Sequence, residues 1–146
     1  MDGPAYTKFN EGCRLTAYRD SLGVWTIGYG CTGPGIGPGV VWEQGHADAA
    51  FSASYGFAAA QAKQDVGEVW DSIGEIRQAA LTDMAYQLGG TGLAKFVKMI
   101  LAIRNLAWNT AATQVLLSEY DKETPRRCER TSYMLRMGLW PKEVLA

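Results

Sequence analysis

Phe9-Asn10-Glu11-Gly12-Cys13-Arg14-Leu15-Thr16-Ala17-Tyr18-Arg19-Asp20-Ser21-Leu22-Gly23-Val24-Trp25-Thr26-Ile27-Gly28-Tyr29-Gly30 is the stretch on which the fold turns. Ahead of it, Asp2 can cap a helix and Pro4 is tolerated in a first turn, so a short helix is predicted up to about Asn10, with Gly12 ending it. From Arg14 to Gly30 the pattern changes to alternation. Leu15 and Ala17, then Val24, Thr26 and Gly28, are set to point one way, and Asp20-Ser21-Leu22-Gly23 between them is a turn signal. The reading is a β-hairpin. A carboxylate closes the first helix, a second sits at the hairpin turn, and a hydroxyl starts the return strand.

Beyond the hairpin, the Gly- and Pro-rich run of residues 30–39 reads as an irregular loop or further short strands. Between about Trp42 and Lys63, Ala47, Ala50, Phe51, Ser54, Phe57, Ala58 and Ala62 stand near helical spacing, which predicts one long helix able to link two lobes. Everything downstream is helical in period. Ser72-Ile73-Gly74-Glu75 is read as a capping box, with Ile73, Ile76, Ala80, Met84 and Leu88 as the apolar stripe and Gly89 after the last turn. Further helices are predicted at about 93–104, at about 106–117 after Asn105 as cap, and at about 125–137 between a Thr124 cap and Gly138. The class is α+β. A single domain over 1–146 is expected, with a small β lobe at about 12–41, a linking helix at about 42–63, and a helical lobe at about 64–146 that packs with the N-terminal helix.

Composition narrows the function. At 146 residues the chain is long enough to fold around its own core without staples. Cys13, Cys31 and Cys128 form no CxxC pair, and His46 is the only histidine, so neither a zinc site nor a cysteine nucleophile is favoured. The cysteines are read as free thiols. No basic n-region and apolar h-region open the chain, and no apolar run reaches the length of a bilayer span. Net charge is −1, with four Lys and Arg against eight Asp and Glu in residues 1–73, and ten against seven in the remainder. This slight asymmetry fits ordinary solvated faces as well as attraction of an anionic polymer, and it gives nucleic-acid binding little support.

Two carboxylates and a hydroxyl in this order suit hydrolysis of a glycosidic bond with inversion. That reaction needs an acid to protonate the leaving oxygen and a base on the opposite sugar face to align a water, the carboxyls standing about 6.5–9.5 Å apart. Thr26 can add an acceptor to the water. By residue type alone the alternatives stay open: Glu11 paired with an arginine, Asp20 an ordinary turn residue, Thr26 an ordinary strand residue.

The same stretch resembles the signature of the phage lysozyme (endolysin, muramidase) family, E-G-x-R-L-x-x-Y-x-D-x-x-G-x-x-T-I-G-x-G, at every fixed position. Gln87-Leu88-Gly89-Gly90-Thr91-Gly92-Leu93-Ala94-Lys95-Phe96, Trp108-Asn109-Thr110-Ala111-Ala112 and Thr124-Pro125-Arg126-Arg127 are similar to the C-terminal lobe of its T-even type, whereas residues 33 to about 71 match little beyond a long helix. The resemblance implies a lysozyme-like fold and a peptidoglycan hydrolase that cuts the β-1,4 bond between N-acetylmuramic acid and N-acetylglucosamine without metal or organic cofactor. It implies Glu11 as the acid, Asp20 as the carboxylate that positions water, and Thr26 as that water's partner. For this chemistry Glu11 must stay protonated near neutral pH and Asp20 ionised. Arg127 matches an arginine facing the glutamate, and Thr32, Tyr86, Gln87 and Gln114 stand where the family lines its saccharide site. Met99 replaces a polar cleft residue, and Cys31 stands where a histidine is usual. The partner implied is the glycan strand, met by a monomer that accumulates in the host cytoplasm and reaches the wall through a holin. A lytic transglycosylase, which works with a lone acid, and a silent glycan-binding relative, which would lack one of the three groups, are the rival readings.

Overall fold

A computed structural model describes residues 1–146. Helix α1 (Gly3–Glu11) starts because the Asp2 carboxylate accepts the Ala5 N–H at 2.8 Å, and it stops at Gly12, whose φ of +66° an L side chain rarely adopts. Strands β1 (Arg14–Arg19) and β2 (Trp25–Gly28) then pair antiparallel. Their register is broken: Arg14 faces Gly28 and Tyr18 faces Thr26, so β1 advances four residues where β2 advances two. The Gly-rich segment folds back on both strands. Cys31 and Ile27 exchange backbone hydrogen bonds, and Val40 and Trp42 flank an isolated bridge to β1. Within the expected one-way face, Thr26 and Gly28 are buried but Val24 is exposed, because it stands in the turn ahead of β2.

Helix α2 (Gln44–Val66) is the link, and its burial divides along its length. Ala47 and Phe51 of its first half join Tyr29 in a small cluster, whereas Ala58, Ala62 and Val66 of its second half enter the large helical core. Phe57, predicted on the apolar stripe, is two-thirds exposed. It lies on a face that no other helix covers and lines a cleft instead.

A single turn of tight helix at Trp70–Ser72 precedes α3 (Glu75–Leu88), the centre of the helical lobe, where residues 79–85 are buried without interruption. A helix that is buried all round needs neighbours on every side. Helices α1, α2 and α7 (Pro125–Met137) pack on it directly, while α5 (Trp108–Leu116) packs on α7, and α4 (Val97–Arg104) on α5 and α2. Two short helices, α6 (Glu119–Glu123) and α8 (Lys142–Leu145), complete the chain. This is a lysozyme-like α+β arrangement. No helix is long and apolar enough to cross a membrane.

Three local expectations are corrected. The Ser72–Glu75 capping box does not form, because the Ser72 hydroxyl donates to Val69 O within the tight turn and Gly74, at φ +86°, opens α3. Asn105 does not cap α5: it closes α4, donating its amide to Leu101 O at 2.9 Å. Thr124 stands at the start of α7, but its hydroxyl serves Gln87 and Tyr120 O rather than the helix N–H groups.

Candidate active site

Glu11 is the last residue of α1, and its surroundings come from three other parts of the chain. Arg127, on α7, donates from Nη2 to Glu11 Oε1 at 2.9 Å. The same guanidinium donates to Asp83 of α3 from Nε to Oδ2 and from Nη2 to Oδ1, each at 2.9 Å. Thr7, one turn back on α1, completes the set by donating its hydroxyl to Asp83 Oδ1 at 2.8 Å. Asp83 is fully buried, whereas Glu11 keeps a sixth of its side chain exposed. On its other side Glu11 touches the hairpin lobe at Gly30, where a Cβ would stand only 2.7 Å from Oε2. Gly30 also has φ +80°, so the position requires glycine twice over.

Burial raises the pKa of the Glu11 carboxyl; the Arg127 charge and hydrogen bond pull it back, and the Asp83 charge adds to the rise. The net direction is upward. Burial also works against the charge of Arg127, but Asp83 and Glu11 outweigh it and keep the guanidinium firmly protonated.

Asp20 and Thr26 are positioned by the hairpin alone. The Asp20 carboxylate accepts at Oδ1 from Leu22 N–H at 2.9 Å and Val24 N–H at 2.8 Å, while its own N–H donates to Val24 O. The turn therefore holds one oxygen and leaves Oδ2 without a partner in the protein. Thr26, at the second position of β2, is buried and donates its hydroxyl to Val24 O at 2.9 Å, which leaves the oxygen's lone pairs to accept from elsewhere.

A cleft of about 440 Å³ opens between the lobes. Gly30, Cys31 and Thr32 line one wall, Phe57 and Gln61 of α2 its back, and Tyr86 of α3 the other wall. Thr32, exposed, and Tyr86 thus share a site, although the Tyr86 hydroxyl is already given to Tyr29 O and only its ring is free. Cys31 contributes a half-buried free thiol whose ionisation is pushed up by burial. Gln87 lies behind this wall: its amide nitrogen donates to Thr124 Oγ1 and its buried Oε1 has no partner. Gln114 is not brought to the cleft, since it lines a separate depression of about 330 Å³ with Lys95, Lys98 and Met99. Arg127 is engaged by two carboxylates and buried, so it meets Glu11 rather than the open cleft. Asp83 is the residue that sequence reasoning missed. Its one signal is an acid inside the apolar run Ala79–Ala85.

A lysozyme-like fold with an enclosed carboxyl against Gly30 of the inter-lobe cleft defines a class of protein, and comparison with known chains names it. Residues 8–129 match the family described as phage lysozyme, and the chain belongs to that family. Among its relatives are the pre-baseplate central spike protein Gp5 of Enterobacteria phage T4, 34% identical over 73 residues that make up 50% of this chain and 13% of that protein. Two proteins of Dictyostelium discoideum are also similar. Probable T4-type lysozyme 2 is 27% identical over 48% of this chain and 41% of its own length, and probable T4-type lysozyme 1 is 22% identical over 90% and 91% respectively. The matched stretch is thus less than half the length of each of the first two relatives.

Proposed function

We propose that this chain is a muramidase that hydrolyses the β-1,4 bond between N-acetylmuramic acid and N-acetylglucosamine in peptidoglycan by general acid/base catalysis with inversion. The observation that carries the reading is the Glu11 carboxyl, whose pKa burial raises and whose Oε2 lies against Gly30, a residue in the wall of the cleft of about 440 Å³ between the lobes. With Oε1 taken by Arg127, Oε2 carries the proton and delivers it to the leaving glycosidic oxygen. On the other lobe, Asp20 Oδ2 and the hydroxyl oxygen of Thr26 hold a water, which attacks the anomeric carbon from the face opposite the leaving group and passes its proton to Asp20. The buildup of positive charge at that carbon is eased by the Asp20 carboxylate. Thr32 and the Tyr86 ring serve as sugar contacts along the cleft.

The physiological setting that fits family and chemistry is a monomeric phage endolysin that accumulates in the host cytoplasm and is let out to the wall by a holin. The reading is tested by incubating the protein with purified sacculi and resolving the released muropeptides by mass spectrometry. Reducing-end muropeptides, absent with Glu11→Gln, are the expected result. A 1,6-anhydro end makes the protein a lytic transglycosylase, and no release at all leaves it a glycan-binding relative.

A further inference from the structure

Arg127 stands between two carboxylates that it does not treat alike. Asp83 takes two parallel hydrogen bonds, the bidentate fork that gives arginine its strongest ion pairs, while Glu11 receives the remaining Nη2 hydrogen. Asp83 has no exposure, lies on the wholly buried turn of α3, and is fixed from a third side by Thr7. Such a residue is not needed to neutralise Arg127, since Glu11 alone would do so.

We propose that Asp83 is a positioning residue for the acid: it matches the charge of Arg127, so that the guanidinium can orient Glu11 without drawing the proton off it. This rests on the reading of Glu11 as the general acid. The bookkeeping of charge is simple. With Glu11 protonated, Asp83 and Arg127 leave the buried group neutral; with Glu11 ionised, it holds a net negative charge away from water, which is the costlier state. Without Asp83 the balance shifts toward the ionised glutamate, because an unmatched buried arginine favours that form. The Asp83 charge acts on Glu11 in the raising direction, after burial and against Arg127.

The other groups facing this cluster carry no competing charge near neutral pH. Tyr86 on α3, Cys31 beyond β2, Tyr120 on α6, Tyr6 on α1 and Tyr55 on α2 all have their ionisation pushed up, each chiefly by burial. Arg130, one turn along α7, is engaged by Asn10 and Glu143.

The test is a ¹³C NMR titration of the Glu11 carboxyl in the intact chain and in Asp83→Asn, run beside the pH dependence of kcat and KM. Asp83→Asn should move the Glu11 titration down by about one unit, and the alkaline limb of kcat should move down with it while KM changes little. An unmoved or raised titration overturns the proposal. A lowered titration with an unmoved limb also overturns it, and then the acid role of Glu11 fails too, so the two failures are told apart. Arg127→Gln provides a second arm if Asp83→Asn does not fold: with the cation gone, Glu11 should titrate above the parent, and an unchanged titration contradicts a shared electrostatic unit.

Discussion

Twenty-four buried side chains fill the helical lobe, Leu81, Met84, Ile103, Met134 and Leu135 among them, whereas the hairpin lobe closes over a cluster of three, Tyr29, Ala47 and Phe51. The two halves of the site inherit this difference. Glu11 is held by Arg127 of α7, which is in turn fixed by Asp83 of α3, and both partners are buried beside the large core. Asp20 and Thr26 are held by backbone atoms of a two-stranded hairpin, which on its own is marginally stable. Long-range packing thus sets the environment of the Glu11 carboxyl, while a local turn fixes the direction of the Asp20 carboxylate. The lobes meet through the Phe51 and Tyr86 rings and the Tyr86 hydrogen bond to Tyr29 O.

Damage to the site and damage to the fold should therefore separate. The largest effect is expected from Glu11→Gln, which keeps shape but deletes the transferable proton and should cut turnover by about 10²–10⁴-fold. Its stability should not fall. Because the folded-state pKa of Glu11 is raised, its stabilising contribution is present below the unfolded value and is lost as pH rises through the folded one. Glu11→Gln should therefore gain in Tm relative to the parent as pH rises through that window, and a Tm deficit that grows with pH breaks the account.

Leu81→Ala is the converse case. Removing a fully buried side chain from the middle of α3 should cost about 3 kcal/mol by denaturant unfolding, yet leave turnover of the folded fraction within a few-fold of the parent. A smaller loss, of about 1 kcal/mol, is expected for Gly30→Ala, where φ is positive and the new Cβ meets Glu11 Oε2. Here turnover should fall as well, since the seam between the lobes is the one place where strain and chemistry coincide. Cys31→Ser should do least. The thiol lines the cleft and its polar contact is with the Tyr29 backbone, so substantial turnover is expected, and complete loss in a folded protein would give the thiol a part in the chemistry.

How much of this was legible in the sequence follows the same divide. The hairpin, α1 and the long helix α2 are readable because glycine, proline and period punctuate them locally, whereas Glu11, Asp20 and Thr26 are singled out only by the resemblance of one contiguous motif, since residue type alone leaves the alternatives open. Helices α6 and α8 are five and four residues long, too short to show a period. Ser72 and Asn105 carry good capping residue types, but each hydroxyl or amide finds a nearer carbonyl, a competition that sequence does not rank. Phe57 looked like core because a helical stripe does not say where its covering partner ends. Asp83 was invisible for a different reason: its partner lies 44 residues away on α7, and an acid in an apolar run has no meaning until that partner is known. Gln114 lines a neighbouring depression with Lys95, Lys98 and Met99, a placement that its motif does not show.

The claim at the centre of the account is that Asp20 and Thr26 position a water rather than attack carbon themselves. Proton NMR of the anomeric signal, taken within minutes of adding enzyme to a soluble peptidoglycan oligomer and before mutarotation, reads this directly. The α-anomer should form first, because a water held on the face opposite the leaving group inverts the centre. A β-anomer formed first would mean direct attack by Asp20, which needs carboxyls about 5 Å apart, and would contradict the account.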